Sequence, residues 1–203
     1  MSDRGRPRSF DRDVALQKAV EVFWARGYAG ASMAELTGAM GISPPSLYAA
    51  FGSKADLYRQ AMDRYVATSG AALWGLLEQP TAKAGVEAVF RAAARGMVQP
   101  GKPFGCMVAL SGAQPEDFDA GLHQDMTTVW QGTRQALHNR FERAQAAGEI
   151  DAGADLDAIA LFYATVHQGM SLQARQGATA DELDRLVTSA LMAWEPMTRP
   201  DQA

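Results

Sequence analysis

Apolar residues along this chain recur at helical spacing, and almost every such segment is bracketed by residues that start and stop helices. Leu16, Ala19, Val20 and Phe23 follow an i, i+3, i+4, i+7 pattern, and Gly27 is placed to stop that helix. Ser32, with Glu35 three residues on, reads as a capping box opening a short second helix that ends near Met40, with Gly41 as its left-handed stop. Ser43 caps a third helix whose first position is Pro44, where a missing N–H costs nothing, and Gly52 ends it. Ser53 with Asp56 opens a longer fourth helix, expected to run to about Gln79 before Pro80. Further helices are expected at about 82–98, 105–113, 116–147, 155–176 and 179–195, nine in all. Strand signals are nearly absent: there is no Asp-Gly or Gly-Gly turn pair, and β-branched residues never run longer than Thr127-Thr128-Val129. The expected fold class is all-α.

At 203 residues, 47% hydrophobic and 21% charged, the chain has enough apolar side chain for a full core, which excludes wholesale disorder. No stretch reaches the length of a membrane span; the nearest, Ala158 to Ala174, carries Thr165, His167, Gln168, Ser171 and Gln173. The first residues are basic with no apolar run after them, so no secretory signal is expected, and the expected location is the cytoplasm. One cysteine, Cys106, excludes an internal disulfide framework and a cysteine-based zinc site. The three histidines, His123, His138 and His167, make no i, i+4 pair, so no metal is expected, nor any cofactor. The net charge of −4 is unevenly spread: residues 1–65 hold nine Lys/Arg against seven Asp/Glu, and the rest hold 10 against 16. That asymmetry hints that the first segment meets a polyanion.

Three helices of about 17, 8 and 7 residues, the last two joined through Gly41-Ile42-Ser43, have the dimensions of a helix-turn-helix unit. A tight glycine turn sets two short helices at a steep angle, so the second enters a major groove while the first crosses the backbone. Ser46, Ala49 and Ala50 permit close approach, and the helix starts at Ser43 and Ser53 are expected to offer free N–H groups to phosphates. The stretch from Ala15 to Leu57 resembles the DNA-binding domain of the TetR/AcrR repressors. The matching residues run from Leu16, Ala19, Phe23, Gly27 and Tyr28 through Ser32, Leu36, Gly41 and Ile42 to Leu47, Tyr48, Phe51, Lys54 and Leu57; the segment SLYAAFGSKADLY is especially characteristic.

The resemblance implies an all-helical homodimer, with an N-terminal three-helix helix-turn-helix domain and a C-terminal helical domain for an inducing ligand and dimerisation. It divides the chain into a basic arm (1–9), a DNA-binding domain (10–55), a ligand-binding and dimerisation domain (56–195) and a loose tail (196–203). Tyr48 and Lys54 align with family positions that contact backbone phosphate, and Pro44, Pro45 and Ser46 occupy the front of the recognition helix where base edges lie. Ser32 and Ser43 complete the expected contacts to a double-stranded operator. Long polar readers are missing, which leaves more of the recognition to DNA shape and thymine methyls. Arg4-Gly5-Arg6-Pro7-Arg8 resembles an AT-hook, which would place Arg4, Arg6 and Arg8 in a narrow minor groove.

The C-terminal half is rich in methionine and aromatic residues, whose ordinary meaning at helical spacing is core. A cavity for an unknown small-molecule effector is expected to draw on Met97, Phe104, Cys106, Met107, Met126, Trp130, Phe162 and His167. If a helix begins at Cys106, its dipole would lower the thiol pKa, and an alternative reading is a redox- or electrophile-sensing repressor acting through that thiol. Gly96 to Lys102 fits the first seven places of a phosphate-binding loop, but Pro103 stands where a hydroxyl is needed and the preceding segment reads as helix. Nothing orients a base near Cys106, so no enzyme is expected. Dimerisation is expected on two apolar stripes: Leu156, Ile159, Tyr163, Val166 and Met170, and Leu183, Leu186, Val187 and Leu191. The function these features point to is a ligand-responsive DNA-binding regulator, a repressor that leaves its operator when an effector binds.

Overall fold

In a computed structural model, which describes residues 10–112 and 118–199, every regular element is helical. The chain divides into two compact units, meeting in sequence between Arg64 and Tyr65.

The first unit holds α1 (Arg12–Gly30), α2 (Met33–Met40), α3 (Pro44–Phe51) and most of α4 (Lys54–Tyr65). The Asp11 carboxylate accepts from the Asp13 and Val14 amides to start α1, and Gly27 (φ 72°, ψ 179°) breaks its last turn. The capping box of α2 is complete: Ser32 Oγ accepts from the Glu35 amide, and Glu35 Oε2 accepts from the Ser32 amide. Gly41 closes α2 at φ 66°, ψ 31°, a left-handed geometry that a Cβ would strain. Behind these short helices Leu16, Ala19, Phe23, Leu36, Leu47, Phe51, Leu57 and Met62 form a dry core. Tyr58 packs edge-on to Phe23 at 4.9 Å between ring centroids.

The expected single helix from Ser53 to Gln79 is interrupted. After α4 come a π-helical segment, Val66–Gly70, then α5 (Ala71–Trp74) and a 3-10 turn, Gly75–Leu77. Thr68, Ser69, Gly70 and Gly75 supply little helix propensity there, and wide turns of this kind recur at functional positions.

The second unit adds α6 (Ala82–Gly96), α7 (Met107–Ser111), α8 (Ala120–Ala146), α9 (Leu156–Arg175), α10 (Ala180–Met192) and α11 (Trp194–Thr198). Its centre is an aromatic cluster in which Tyr163 meets Phe90 at 5.6 Å, Phe141 at 6.3 Å and Trp194 at 6.0 Å. Buried Arg140 donates to the carbonyls of Leu77 and Gln79, at 3.1 and 3.3 Å, and so satisfies the C-terminal end of the 3-10 turn. Glu149 lies 3.8 Å from Arg140 and accepts from the Ala82 amide at 2.7 Å, capping the approach to α6.

The tail expected to be loose from residue 196 is anchored where it is described. Thr198 is fully buried, its hydroxyl donates to the Trp194 carbonyl at 2.7 Å, and its carbonyl accepts from the Asp151 amide at 3.0 Å. A threonine that turns its hydroxyl back onto its own helix loses little by burial, which composition alone does not reveal.

Candidate functional site

On α3 the local chemistry separates an inward from an outward face. Leu47 and Phe51 are buried, whereas Tyr48 is 53% exposed and Ala49 stands outside with it. An exposed tyrosine on an otherwise small, apolar outer face is unusual for a surface that meets only water. Pro44 and Pro45 are exposed at the front of the helix, and Ser46 is half-buried behind them. The free N–H groups expected at the start of α3 are not there. Pro44 and Pro45 have none, and the Ser46 amide donates to Ser43 Oγ at 3.3 Å. At Ser53 the reciprocal cap with Asp56 takes both the Ser53 and Asp56 amides, and the Ser53 hydrogen bonds hold the exposed Asp56 carboxyl below its usual range. At the start of α3, anion contacts therefore fall to side chains.

Lys54, at the head of α4, places Nζ 4.7 Å from the centroid of the Tyr28 ring, a cation–π contact that fixes where its ammonium points. Ser32 and Ser43 are exposed at the starts of α2 and α3. Arg12 lies over the Phe51 ring at 4.7 Å and bonds Gln60, and this packing of α1 against α3 and α4 had no signal in the spacing of the sequence. Arg4, Arg6 and Arg8 lie outside the described residues.

The second unit contains a cavity of about 390 Å³ walled by α7, α8 and α9. Of the eight expected effector contacts, Cys106, Trp130 and His167 line it. Met97, Met107 and Met126 are buried in packing instead, Phe162 stacks edge-on to Tyr163 at 5.0 Å, and Phe104 is 39% exposed. Methionine fills gaps in a core as readily as it lines a pocket, and composition does not separate the two. Leu110, Thr133, Thr165, Gln168 and Leu172 also line the cavity and were not among the expected contacts; Thr165, Gln168 and Leu172 share one face of α9, and that spacing was the signal available.

Gly105 brings the loop before α7 against α9. Its φ is 83°, and a Cβ there would stand 2.8 Å from the Ser171 carbonyl oxygen. The Cys106 amide donates to Ser171 Oγ at 2.7 Å as a result. Burial works against the expected thiolate: it pushes the Cys106 thiol up, against the smaller opposing pull of the Ala109 amide, the Tyr65 hydroxyl and the Val108 amide. The five-residue helix that follows is too short to supply the dipole that the lowered pKa required. Tyr65, the last residue of α4, is bonded to the Cys106 side chain and the Met107 amide, so the cavity wall is tied to the residue just before the π-helical segment.

His167 is buried, its ring 5.2 Å from that of Trp74, and its Nε2 has no hydrogen-bond partner among the described residues. Burial pushes its pKa down to about 4, so the imidazole is neutral near pH 7.

The two expected dimer stripes divide by burial. Ile159, Tyr163, Met170, Leu183 and Val187 are at most 1% exposed within a single chain, so they belong to its own core and present nothing to a mate. Leu156, Val166 and Leu191 are half-buried and Leu186 is exposed. The outward apolar residues of α9 and α10 are Leu161, Leu172, Leu186 and Met192.

Comparison with known proteins agrees with this arrangement. Residues 15–61 match the family model for bacterial regulatory proteins of the tetR family, and residues 82–190 match that of the tetracyclin repressor-like C-terminal domain. The chain belongs to the TetR family. It is 31% identical over 198 residues to the HTH-type transcriptional repressor ComR of Escherichia coli K12, covering 97% of this chain and 94% of ComR. It is 34% identical to the HTH-type transcriptional repressor BdcR of the same organism, covering 94% and 91%. Among solved structures, the TetR family regulator CifR, cysteine-substituted and complexed with 26 bp operator DNA, matches at 40% identity and TM-score 0.88, over 93% of this chain and 100% of that one. This TetR-family protein is a DNA-binding transcriptional regulator and not an enzyme. Among its described residues no helix is long and apolar enough to cross a membrane.

Proposed function

We propose that this regulator is a cytoplasmic repressor that binds a two-fold operator as a homodimer and leaves it when a small uncharged molecule fills the cavity of the second unit. In this reading α3 enters the major groove with Pro44, Pro45 and Ser46 toward base edges, and Tyr48 and Lys54 hold phosphates. Ser32 and Ser43 flank them on the backbone, and Arg4, Arg6 and Arg8 add minor-groove contacts. The observation that carries the DNA reading is the exposed Tyr48 on the small outer face of α3, together with a Lys54 at the head of α4 oriented by Tyr28. Relatives named as repressors, and a neighbour solved on operator DNA, support it. Selection of duplexes from a random pool at two salt concentrations tests it. A two-half-site consensus with a steep salt slope is expected; equal affinity for all duplexes overturns it.

The dimer face consists of Leu161 and Leu172 on α9 with Leu186 and Met192 on α10, apolar side chains that one chain leaves in water. Leu161→Glu combined with Leu186→Glu should give a folded monomer in ultracentrifugation, with operator affinity lost through loss of the second half-site. An unchanged dimer removes this face from the proposal. Release through Cys106 is the second reading, favoured by its place in the cavity wall and opposed by its raised pKa. Under that reading Cys106→Ser abolishes release from DNA by an electrophile; under the first reading, displacement by an unreactive ligand survives the substitution.

A further inference from the structure

The cavity of α7, α8 and α9 is not closed by its own chain. Thr165, Gln168, Gly169 and Leu172 line it and are at the same time exposed, Leu172 to 47%. Positions 161, 165, 168 and 172 recur at i, i+4, i+7 and i+11, so the open side of the cavity lies on one stripe of α9. That stripe continues into Leu161, and Leu161 and Leu172 are half of the dimer face assigned to α9 and α10. Between Asp157 and Arg175 there is no Lys, Arg, Asp or Glu, in a chain that is 21% charged. A helix face that meets only water ordinarily carries such groups over this many turns. Gly169 stands inside this helix, where glycine is destabilising relative to alanine, yet no neighbouring atom lies within 4 Å of where its Cβ would stand. Packing within one chain gives no reason for that glycine, whereas the close approach of a second helix does.

We propose that a second copy of this chain completes the cavity: in the homodimer the partner lies across the α9 stripe, and each effector site has walls from both copies. The inference rests on the readings of the dimer face and of the effector cavity, and it joins them into one structure. Among the described residues the lining holds no Lys, Arg, Asp or Glu, so closing the mouth strips no charge of its water. Gln168 suits a self-complementary interface, because its amide both donates and accepts and can pair with its own copy across a two-fold axis. A molecule held in the cavity then touches both copies, and its binding and their association favour or oppose one another equally in both directions.

The test uses the full-length protein with Cys106→Ser, which leaves no other thiol, carrying either Gln168→Cys or Thr133→Cys. Gln168 is at the mouth, and Thr133 is half-buried on α8 in the cavity wall. With Gln168→Cys, bismaleimidoethane is expected to give a covalent dimer, lost when Leu161→Glu and Leu186→Glu are added, neither of which lines the cavity. With Thr133→Cys, the uncharged reagent iodoacetamide is expected to react at least tenfold more slowly in the dimer than in that monomeric variant. Should the monomeric variant fail to fold, Leu186→Arg with Met192→Arg, both exposed on α10, takes its place. Absence of a covalent dimer from a protein that sediments as a dimer, or equal alkylation of Thr133→Cys in dimer and monomer, overturns the proposal and leaves the dimer itself standing. A parent protein that sediments as a monomer removes the dimer reading and this inference with it.

Discussion

In the first unit, the side chains assigned to DNA stand on the outside of short helices whose caps are specified within three or four residues, as in Ser32 to Glu35 and Ser53 to Asp56. In the second, the side chains assigned to an effector come from α7, α8 and α9 and meet across tens of residues, as Cys106 meets Ser171. A surface built from local signals tolerates changes in its outward residues, because the fold beneath it rests on other atoms. A cavity built from long-range packing has walls that are also core, so its function and its stability are read from the same residues.

Core truncation should separate the two units most sharply. Leu47→Ala removes a fully buried side chain from the first unit, and Phe141→Ala removes one from the second. Costs of about 2–5 kcal/mol are expected, the aromatic at the upper end. Calorimetry at fixed protein concentration checks this. Leu47→Ala should abolish duplex binding while leaving the Trp194 environment intact, and Phe141→Ala should perturb the cavity first. If both variants melt in one identical transition, the units do not act separately.

A pH experiment comes next in size. His167 is neutral in the folded chain down to about pH 4, whereas in the unfolded chain it takes a proton near its ordinary value of 6.5. The unfolded state therefore binds more protons between those values, and stability falls as pH drops through that window. The loss approaches about 3 kcal/mol and levels off below the folded pKa. Urea unfolding of the native protein and of His167→Phe at pH 7 and pH 4.5 checks it: the substituted protein should lose much less. Parallel losses in the two proteins would place the titrating group elsewhere.

How far each unit was legible follows from the same contrast. The ends of α2 and α3 were readable because Ser32, Gly41, Ser43 and Gly52 act on their own neighbours. The free amides expected at Ser43 were not, since the serine that signals a cap also consumes the amide it caps. In the second unit the helix positions were readable from periodicity, but the partition of apolar residues was not. Tyr163 and Met170 sit on the same helix as Leu161 and Leu172, and only packing against α6, α8 and α10 decides which of them face inward. Buried Arg140 gave no warning, because an arginine late in an amphipathic helix looks like a solvated one until the carbonyls of Leu77 and Gln79 are brought to it. The π-helical segment after Tyr65 was likewise unreadable: weak helix formers mark where a helix can deform, not that it does.

Smaller effects probe the outward face of α3 and the head of α4. Tyr48→Phe removes one hydroxyl from an exposed ring and should weaken a selected duplex by about tenfold, roughly equally across sequence variants, with no change in melting temperature. Lys54→Ala should lower the slope of log affinity against log salt by about 1. A sequence-dependent loss in Tyr48→Phe would instead make the tyrosine a reader of bases.

The smallest test uses one device that both units share. Ser32–Glu35 and Thr179–Glu182 are complete capping boxes on exposed helix starts, with the hydroxyl accepting from the third amide at 3.1 and 3.2 Å. Removing the hydroxyl in Ser32→Ala or Thr179→Ala should cost a similar amount, about 1 kcal/mol, because each leaves one amide without its acceptor. Their consequences for DNA should differ. Ser32 opens the helix that precedes the turn at Gly41, on the side assigned to the backbone, so its loss should weaken a selected duplex several-fold beyond what stability accounts for. Thr179 starts α10, and its loss should leave duplex affinity unchanged at protein concentrations that keep the dimer intact. Equal effects of the two substitutions on DNA binding would mean that Ser32 acts only through the stability of its helix, and the contact face would then begin at Ser43.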